Sequence, residues 1–369
     1  MVTTQRLPVS LTPLDAALTA VLRDAAPVAP VELPLADALR CVAAEMPRLD
    51  AHPPHDVAAG DGWAMRAGDL VGASSYAPLP LAGPPVWVEA GAAMPIGADC
   101  VVDADLVDSS GPIAQVLGET VPGQGVRHAG GDIAQGCAVA EAGQPVRSRN
   151  LLLARAAGWP TLRVRRPRLR LVNIPNGEVT TSLIAEAARL AGADVICAEA
   201  GRDVSDVARA LEVDGCDLLV TIGGTGVGRT DATASALASR GALITHGIAL
   251  QPGRTMAVGR MHATPVIALP GAPDQAFAAW WAVALPLLDR LSERQPRATR
   301  SLPLSRKIAS TVGVAEVALL ACRQECWSAL AIGDLSLDAI ARADAVLIVP
   351  GTSEGFAAGA VVDAYMLRD

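Results

Sequence analysis

From residue 168 onward the chain alternates short apolar runs with helical stretches, and no other feature constrains its fold as tightly. RLRLVNIP reads as a strand and TTSLIAEAARLAGA as a helix; DVICAEA and DVSDVARALEVDG repeat the pair, and CDLLVTIGG begins it again. DATASALASRGA then reads as a helix, MAVGRMHATPVIALPG as two strands and APDQAFAAWWAVALPLLDRL as one long apolar helix. Strands alternating with helices of about ten residues or more predict a mostly parallel sheet covered by helices on both faces. Half the residues are apolar but only 3% are aromatic, so the core has to be built from Ala, Val and Leu.

One strand of this series ends in VTIGGTGVGRTD, residues 220–231. In open α/β sheets ligands sit beyond the carboxyl ends of the strands. Glycines there let the backbone turn with positive φ and leave N–H groups free to face an anion, and a helix N-terminus behind them favours negative charge. Phosphate is the expected occupant. The stretch lacks the GK[ST] of a Walker loop, and it comes too late in its domain for a dinucleotide fingerprint. A tight turn followed by a helix-capping Asp231 is the alternative reading.

Ahead of residue 168 the texture differs. TPLDAALTAVLRDAAPV carries a Thr cap and helical spacing, and VELPLADALRCVAAE reads as strand, turn and short helix. Residues 45–140 are short apolar runs broken by Gly and Pro, the pattern of a β-rich module, and the last 65 or so residues look like a small β module. With 369 residues, two to four domains are expected. A net charge of -8 argues against a general nucleic-acid binder. Lys307 is the only lysine, which removes lysine as a catalytic option nearly everywhere. The seven scattered cysteines read as reduced and mostly buried. No signal peptide is evident, and no apolar run approaches the roughly 20 residues of a membrane span, so a soluble, cytoplasmic protein is expected.

Five segments together resemble one family. TIGGTGVGRTD resembles the molybdopterin-binding loop of molybdenum cofactor biosynthesis proteins. PPHDVAAGDGWAMRAGDL (53–70), AGAAMPIGADCVV (90–102), GQGVRHAGGDIAQGCAVAEAG (123–143) and the pair IALQPGRTMAVG and VIALPGAPDQAFAAW follow in the order found in the molybdopterin molybdenumtransferases (MoeA-like proteins, related to the gephyrin E domain). The smaller adenylyltransferases lack the front half. The resemblance implies a multidomain α/β plus β fold: an extended helical domain over 1–45 and 141–166, an inserted β-rich domain over 46–140, a doubly wound α/β pterin-binding domain over 167–297 and a C-terminal β-barrel over 301–369. It further implies a homodimer whose cleft forms between the α/β domain of one subunit and the β-rich domain of the other.

The implied reaction uses molybdate and Mg2+ to convert adenylylated molybdopterin into molybdenum cofactor, with release of AMP. In family register, Asp61, Asp132, Asp231 and Glu178 take catalytic positions, with Asp231 and Asp132 as metal ligands. Thr221, Gly223, Gly224, Thr225, Gly226, Gly228, Arg229, Pro252, Gly253, Arg254, Pro270 and Gly271 take cofactor-binding positions. The chain also departs from the family. Two lysines become Gly247 and Gln251, an Asn becomes Ala272, and the loop that should follow Glu178 is absent. Arg127, His128, Arg229 and His246 are candidate substitutes. A carrier or maturation factor that binds the pterin nucleotide without turnover, working with a molybdoenzyme or another cofactor-biosynthesis protein, therefore stands beside the enzyme reading. A molybdopterin adenylyltransferase is a third.

Overall fold

The structure is a computed structural model that describes residues 5–175, 177–212 and 215–367. The chain divides into two compact units, one formed by residues 1–44, 141–147 and 161–369 and the other by 45–140 and 148–160.

The first unit contains a six-stranded sheet. Its strands are β1 (Arg168–Asn173), β2 (Asp194–Glu199), β3 (Leu218–Ile222), β4 (Leu243–His246), β5 (Ala257–Met261) and β6 (Thr264–Leu269), in the order β2-β1-β3-β6-β5-β4. The first four are parallel, with Leu169 opposite Leu218 and Val220 opposite Ile267. β5 runs antiparallel to both its neighbours, β6 and β4. That change of direction follows from the connection: β5 and β6 are joined at His262-Ala263, and two residues suffice for a hairpin but not for a parallel crossover. All five residues of β3 are buried. Leu218, Val220 and Ile222 pack in one layer with Leu169, Leu171, Ile267 and Leu269, while Leu219 joins Val172, Val266 and Ala268 in the other. Coverage on both faces is why β3 is apolar apart from Thr221, and each of its apolar side chains contributes about 1.5–3 kcal/mol through burial.

Helices α1 (Glu178–Leu190), α2 (Val204–Leu211) and α3 (Thr233–Ser239) follow β1, β2 and β3. The long apolar helix after β6 is not a plain α-helix. An α-helical turn at Pro273–Ala279 passes through a π turn at Trp280–Ala284, with the Leu285 N–H returning to the Trp280 carbonyl, before Leu285–Leu291 resumes α geometry. Pro286 has no N–H to return to Ala282, and the wider turn absorbs that loss.

The C-terminal strands form a seven-stranded sheet centred on Ala315–Arg323, Ala345–Val349 and Val361–Met366. Two short strands from distant parts of the chain, Thr12–Pro13 and Ile248–Gln251, extend it in parallel. The layer formed by Leu169, Val220 and Ile267 runs on into Ala17 and Val21 of the N-terminal helix and Val317 and Leu319 of the C-terminal sheet, while the opposite faces of the two sheets carry clusters of their own.

The second unit is β-rich. Gly62–Met65 is flanked by Val86–Val88 and Cys100–Val102, with Trp63 opposite Trp87 and their rings edge-on at 5.0 Å. Gly62 is required there, because a Cβ would come within 2.5 Å of the Val102 carbonyl oxygen. The cysteines are all free, as expected, but only Cys41 and Cys100 are buried. Cys197 is exposed because β2 is an edge strand with nothing paired outside it.

Candidate functional site

The carboxyl ends of β3 and β6 lie side by side; β3 runs directly into Gly223, and β6 reaches Gly271 after Pro270. Gly223 has φ +94, a conformation L side chains rarely adopt, and a Cβ on Gly271 would sit 3.4 Å from the Gly223 Cα. The two turns approach this closely only because both are bare. Thr180 Oγ1 donates to the Gly271 carbonyl at 2.6 Å, and the Thr225 and Thr255 hydroxyls meet at 3.5 Å. Three of the expected segments, around Gly223–Gly228, Pro252–Arg254 and Pro270-Gly271, are thus brought to one end of the sheet.

The loop's carbonyls are held from the interior. Gly223 O accepts from Thr233 Oγ1 at 2.9 Å, Gly224 O from the Thr233 N–H at 2.9 Å and from Gln5 Nε2 at 2.8 Å, and Gly226 O from Gln5 Nε2 at 2.6 Å. His246 Nε2 lies 2.8 Å from Thr225 O; a carbonyl can only accept, so Nε2 carries the proton. In a planar trans peptide the C=O and the next N–H point in opposite directions. Four pinned carbonyls therefore turn the N–H groups of Gly224, Thr225, Gly226 and Val227 to the opposite side, where they have no acceptor among the described residues. Successive N–H groups presented this way form an anion-binding concavity. Helix α3 has only 7 residues, so the loop amides rather than the helix dipole carry the site.

Asp231 closes the loop instead of capping the helix after it. It does not cap α3, whose N-cap is Ala232 with no side-chain hydrogen bond. Its Oδ2 accepts from the Gly228 N–H at 2.7 Å, and a Cβ on Gly226 would lie 2.7 Å from that same oxygen. Asp231 staples the loop closed, and its other oxygen makes no hydrogen bond to the described residues. Thr221, expected among the cofactor contacts, is fully buried between Val172 and Ala268, and its hydroxyl has no partner among the described residues. Arg229 and Arg254 are exposed at the loop and at the neighbouring turn.

Glu178 opens α1 and is exposed. It lines a cavity of about 300 Å3 with Asn173, Thr181 and Glu199, where Asn173 Nδ2 donates to Glu199 at 2.8 Å. Asn176, just before it, lies outside the described residues. A larger cavity of about 1200 Å3, lined by Leu18, Trp281 and Tyr365, contains none of the expected site residues.

Asp61 and Asp132 belong to the second unit. Asp61 Oδ1 accepts from the Ala90 N–H at 2.8 Å, and Asp132 is paired with Arg127 at 3.0 Å. Beside them, His128 Nδ1 lies 3.1 Å from Asp56, and the Ala129 N–H together with His128 holds the Asp56 carboxyl below its ordinary range.

The positions aligned with the family lysines are built differently. Gly247 has φ +87, and a Cβ there would come within 2.9 Å of Pro8 and 3.1 Å of Leu7 and Leu11. The N-terminal segment fills the space a side chain would need. Gln251 donates through Nε2 to the Gly333 carbonyl at 3.0 Å, tying the turn to the C-terminal sheet.

No group of three His, Cys, Asp or Glu that could hold a metal ion occurs among the described residues. Mg2+ carried on a substrate phosphate needs only one or two protein carboxylates, and the unengaged oxygen of Asp231 beside the loop amides fits such an ion.

Residues that the sequence did not single out are Gln5, Thr180, Thr233 and Thr255. Thr233 lies just beyond the glycine stretch and could have been found as a hydroxyl at the start of a helix; Gln5 is 219 residues from its nearer partner in sequence, and nothing local marks it.

Residues 12–158 match the MoeA N-terminal region (domain I and II), and residues 175–290 match a probable molybdopterin binding domain. A molybdopterin molybdenumtransferase 2 of Mycobacterium tuberculosis is 33% identical over 270 residues, covering 61% of this chain and 66% of that one, just under two thirds of its length. A putative molybdopterin biosynthesis protein of Methanocaldococcus jannaschii is 22% identical over 375 residues, covering 91% and 92%. The crystal structure of a molybdopterin biosynthesis MoeA protein from Pyrococcus horikoshii superposes with a TM-score of 0.71 at 24% identity, covering 98% of this chain and 100% of that one, which establishes the shared fold. Two adjoining domain matches and a fold shared from end to end place the chain in the MoeA-like molybdopterin molybdenumtransferase family.

Proposed function

We propose that this protein acts in molybdenum cofactor biosynthesis by inserting molybdate into adenylylated molybdopterin and releasing AMP. The observation that carries the proposal is the row of outward N–H groups from Gly224 to Val227, formed because every carbonyl behind them is pinned. Such a row suits a phosphate of the pterin nucleotide, held by charge-assisted hydrogen bonds. Gly271 and the Pro252–Arg254 turn close the same end of the sheet, and exposed Arg229 supplies a positive charge next to the amides. Asp231 would hold Mg2+ on the phosphate, and the ion would neutralise charge there as the phosphoanhydride is cleaved. We extend the proposal to a homodimer working in the cytoplasm; among the described residues no helix is long and apolar enough to cross a membrane. The test is molybdate-dependent AMP release by the full chain, compared with the Asp231→Asn variant.

One observation favours a second reading. The sites aligned with the family lysines hold a glycine packed under Leu7, Pro8 and Leu11 and a glutamine spent on Gly333. A protein without those charges could hold the pterin nucleotide and pass it on without turnover. In that case the nucleotide binds and no AMP is released, with or without molybdate.

A further inference from the structure

Gln5 makes three hydrogen bonds to the glycine stretch and the helix after it, and none of them is local in sequence. Its Nε2 donates to the carbonyls of Gly224 and Gly226 at 2.8 and 2.6 Å, and its Oε1 lies 3.3 Å from the Ser235 N–H in the first turn of α3. The side chain is 8% exposed, so these groups have exchanged water for one another. The segment behind Gln5 is anchored independently. Leu7, Pro8 and Leu11 pack on Gly247, the Thr12 N–H donates to the Gly247 carbonyl at 3.0 Å, and the Thr12 and Thr245 hydroxyls meet at 2.6 Å. The segment from Gln5 to Thr12 is therefore a strap laid along the inner side of the loop, with Gln5 against the loop carbonyls.

We infer that Gln5 is a positioning residue for the anion site: by holding the Gly224 and Gly226 carbonyls inward, it fixes the outward direction of the Thr225 and Val227 N–H groups and so sets the affinity of the loop for phosphate. Glycines supply the freedom to adopt this arrangement and for the same reason cannot hold it unaided. Of the donors behind the loop, Thr233 and His246 fix the peptides after Gly223, Gly224 and Thr225, while among the described residues only Gln5 reaches the peptide after Gly226. That peptide carries the Val227 N–H, the outermost of the row. A phosphate is gripped by several amides at once, so releasing one peptide loses its hydrogen bond and loosens its neighbour. The inference rests on the proposal that the loop binds a phosphate.

The experiment titrates the full chain with inorganic phosphate by isothermal calorimetry, in the wild type, Gln5→Leu and Gln5→Glu. Gln5→Leu keeps the bulk and removes both donor and acceptor. Gln5→Glu keeps the length and the acceptor for Ser235 but turns a carboxylate toward two carbonyls. The expected order is wild type above Gln5→Leu above Gln5→Glu, with the first step about tenfold, corresponding to the loss of roughly 1.4 kcal/mol. Amide hydrogen exchange of the unliganded proteins should rise in both variants at Gly228 and Thr233, whose N–H groups bond to Asp231 and to the Gly224 carbonyl, and stay unchanged in the β1 and β3 core. This separates a released loop from general unfolding, and general loss of protection in both variants would make Gln5 a folding residue and overturn the inference. Affinities within twofold of wild type in both variants would also overturn it while leaving the anion site standing. A wild type that does not bind phosphate would remove the anion site itself, and the inference with it.

Discussion

The carboxylate of Asp231 reaches back three residues to take the Gly228 N–H at 2.7 Å, packing one oxygen against the bare faces of Gly226 and Gly228. The acid at the end of the glycine stretch is thus part of the loop's own construction, whatever else it holds. Asp231→Asn keeps an acceptor of the same shape and is expected to leave the loop and the melting temperature nearly unchanged. Asp231→Ala removes the staple and is expected to destabilise by about 1 kcal/mol, the usual worth of such a bond. If Asp231 also holds Mg2+, AMP release falls steeply in both variants. A fall in Asp231→Ala alone would confine the residue to its structural part.

Gly226 tests the loop from the other side. A Cβ at this position would meet Asp231 Oδ2 at 2.7 Å, closer than real contacts allow. Gly226→Val should therefore open the staple and disorder the amide row, with loss of phosphate or pterin-nucleotide binding of tenfold or more, roughly 1.4 kcal/mol. Calorimetry of the purified variant gives the answer directly, and affinity equal to wild type would take the loop out of the site.

Gly247 shows why restoring a family lysine would not restore its chemistry. Gly247→Lys puts a side chain at φ +87 and into Pro8, Leu7 and Leu11. The backbone strain alone costs on the order of 1–3 kcal/mol, and the strap has to lift. The variant is expected to melt at a lower temperature, to lose amide protection at Thr12, and to gain no AMP release. A variant as stable as wild type and more active would show that the strap is easily displaced.

The buried thiols give an alkaline dependence with a definite sign. Burial, and then the neighbouring Asp99 carboxylate, push the Cys100 thiol from 9.0 up to about 11. Burial raises Cys41 and Cys216 in the same direction. A group raised in the folded state stabilises it fully below the unfolded value, and that stability is lost as the pH rises through the folded value. For Cys100 the window runs from 9.0 to about 11. Melting temperature should therefore fall across this range, and Cys100→Ala should flatten the fall even though it lowers stability at neutral pH. At pH 8, iodoacetamide should modify exposed Cys197 well before Cys41 or Cys100.

The parallel sheet was legible because β3 and β6 are buried on both faces and are therefore almost wholly apolar, while β1 keeps its apolar residues at Leu169, Leu171 and Val172, and the glycine turn was legible because only glycine tolerates its geometry. The antiparallel edge followed from the two-residue connection at His262-Ala263 but did not stand out from the apolar pattern alone. The π turn was invisible, since Pro286 marks a fault in the helix without saying how it is absorbed. At the site, sequence reasoning found the residues that form the loop and missed those that orient it. Thr233 and Gln5 act through backbone carbonyls, a kind of contact that leaves no pattern in side-chain chemistry. Thr221, a cofactor-binding position in the family register, lies on the same face of β3 as Leu219 and is fully buried.

The most direct test of the whole account is AMP release from adenylylated molybdopterin by the full chain with Mg2+, measured with and without molybdate. The account expects release that depends on molybdate and is lost in Asp231→Asn. Tight binding of the nucleotide with no release under either condition would contradict it and leave a protein whose glycine loop holds a phosphate without acting on it.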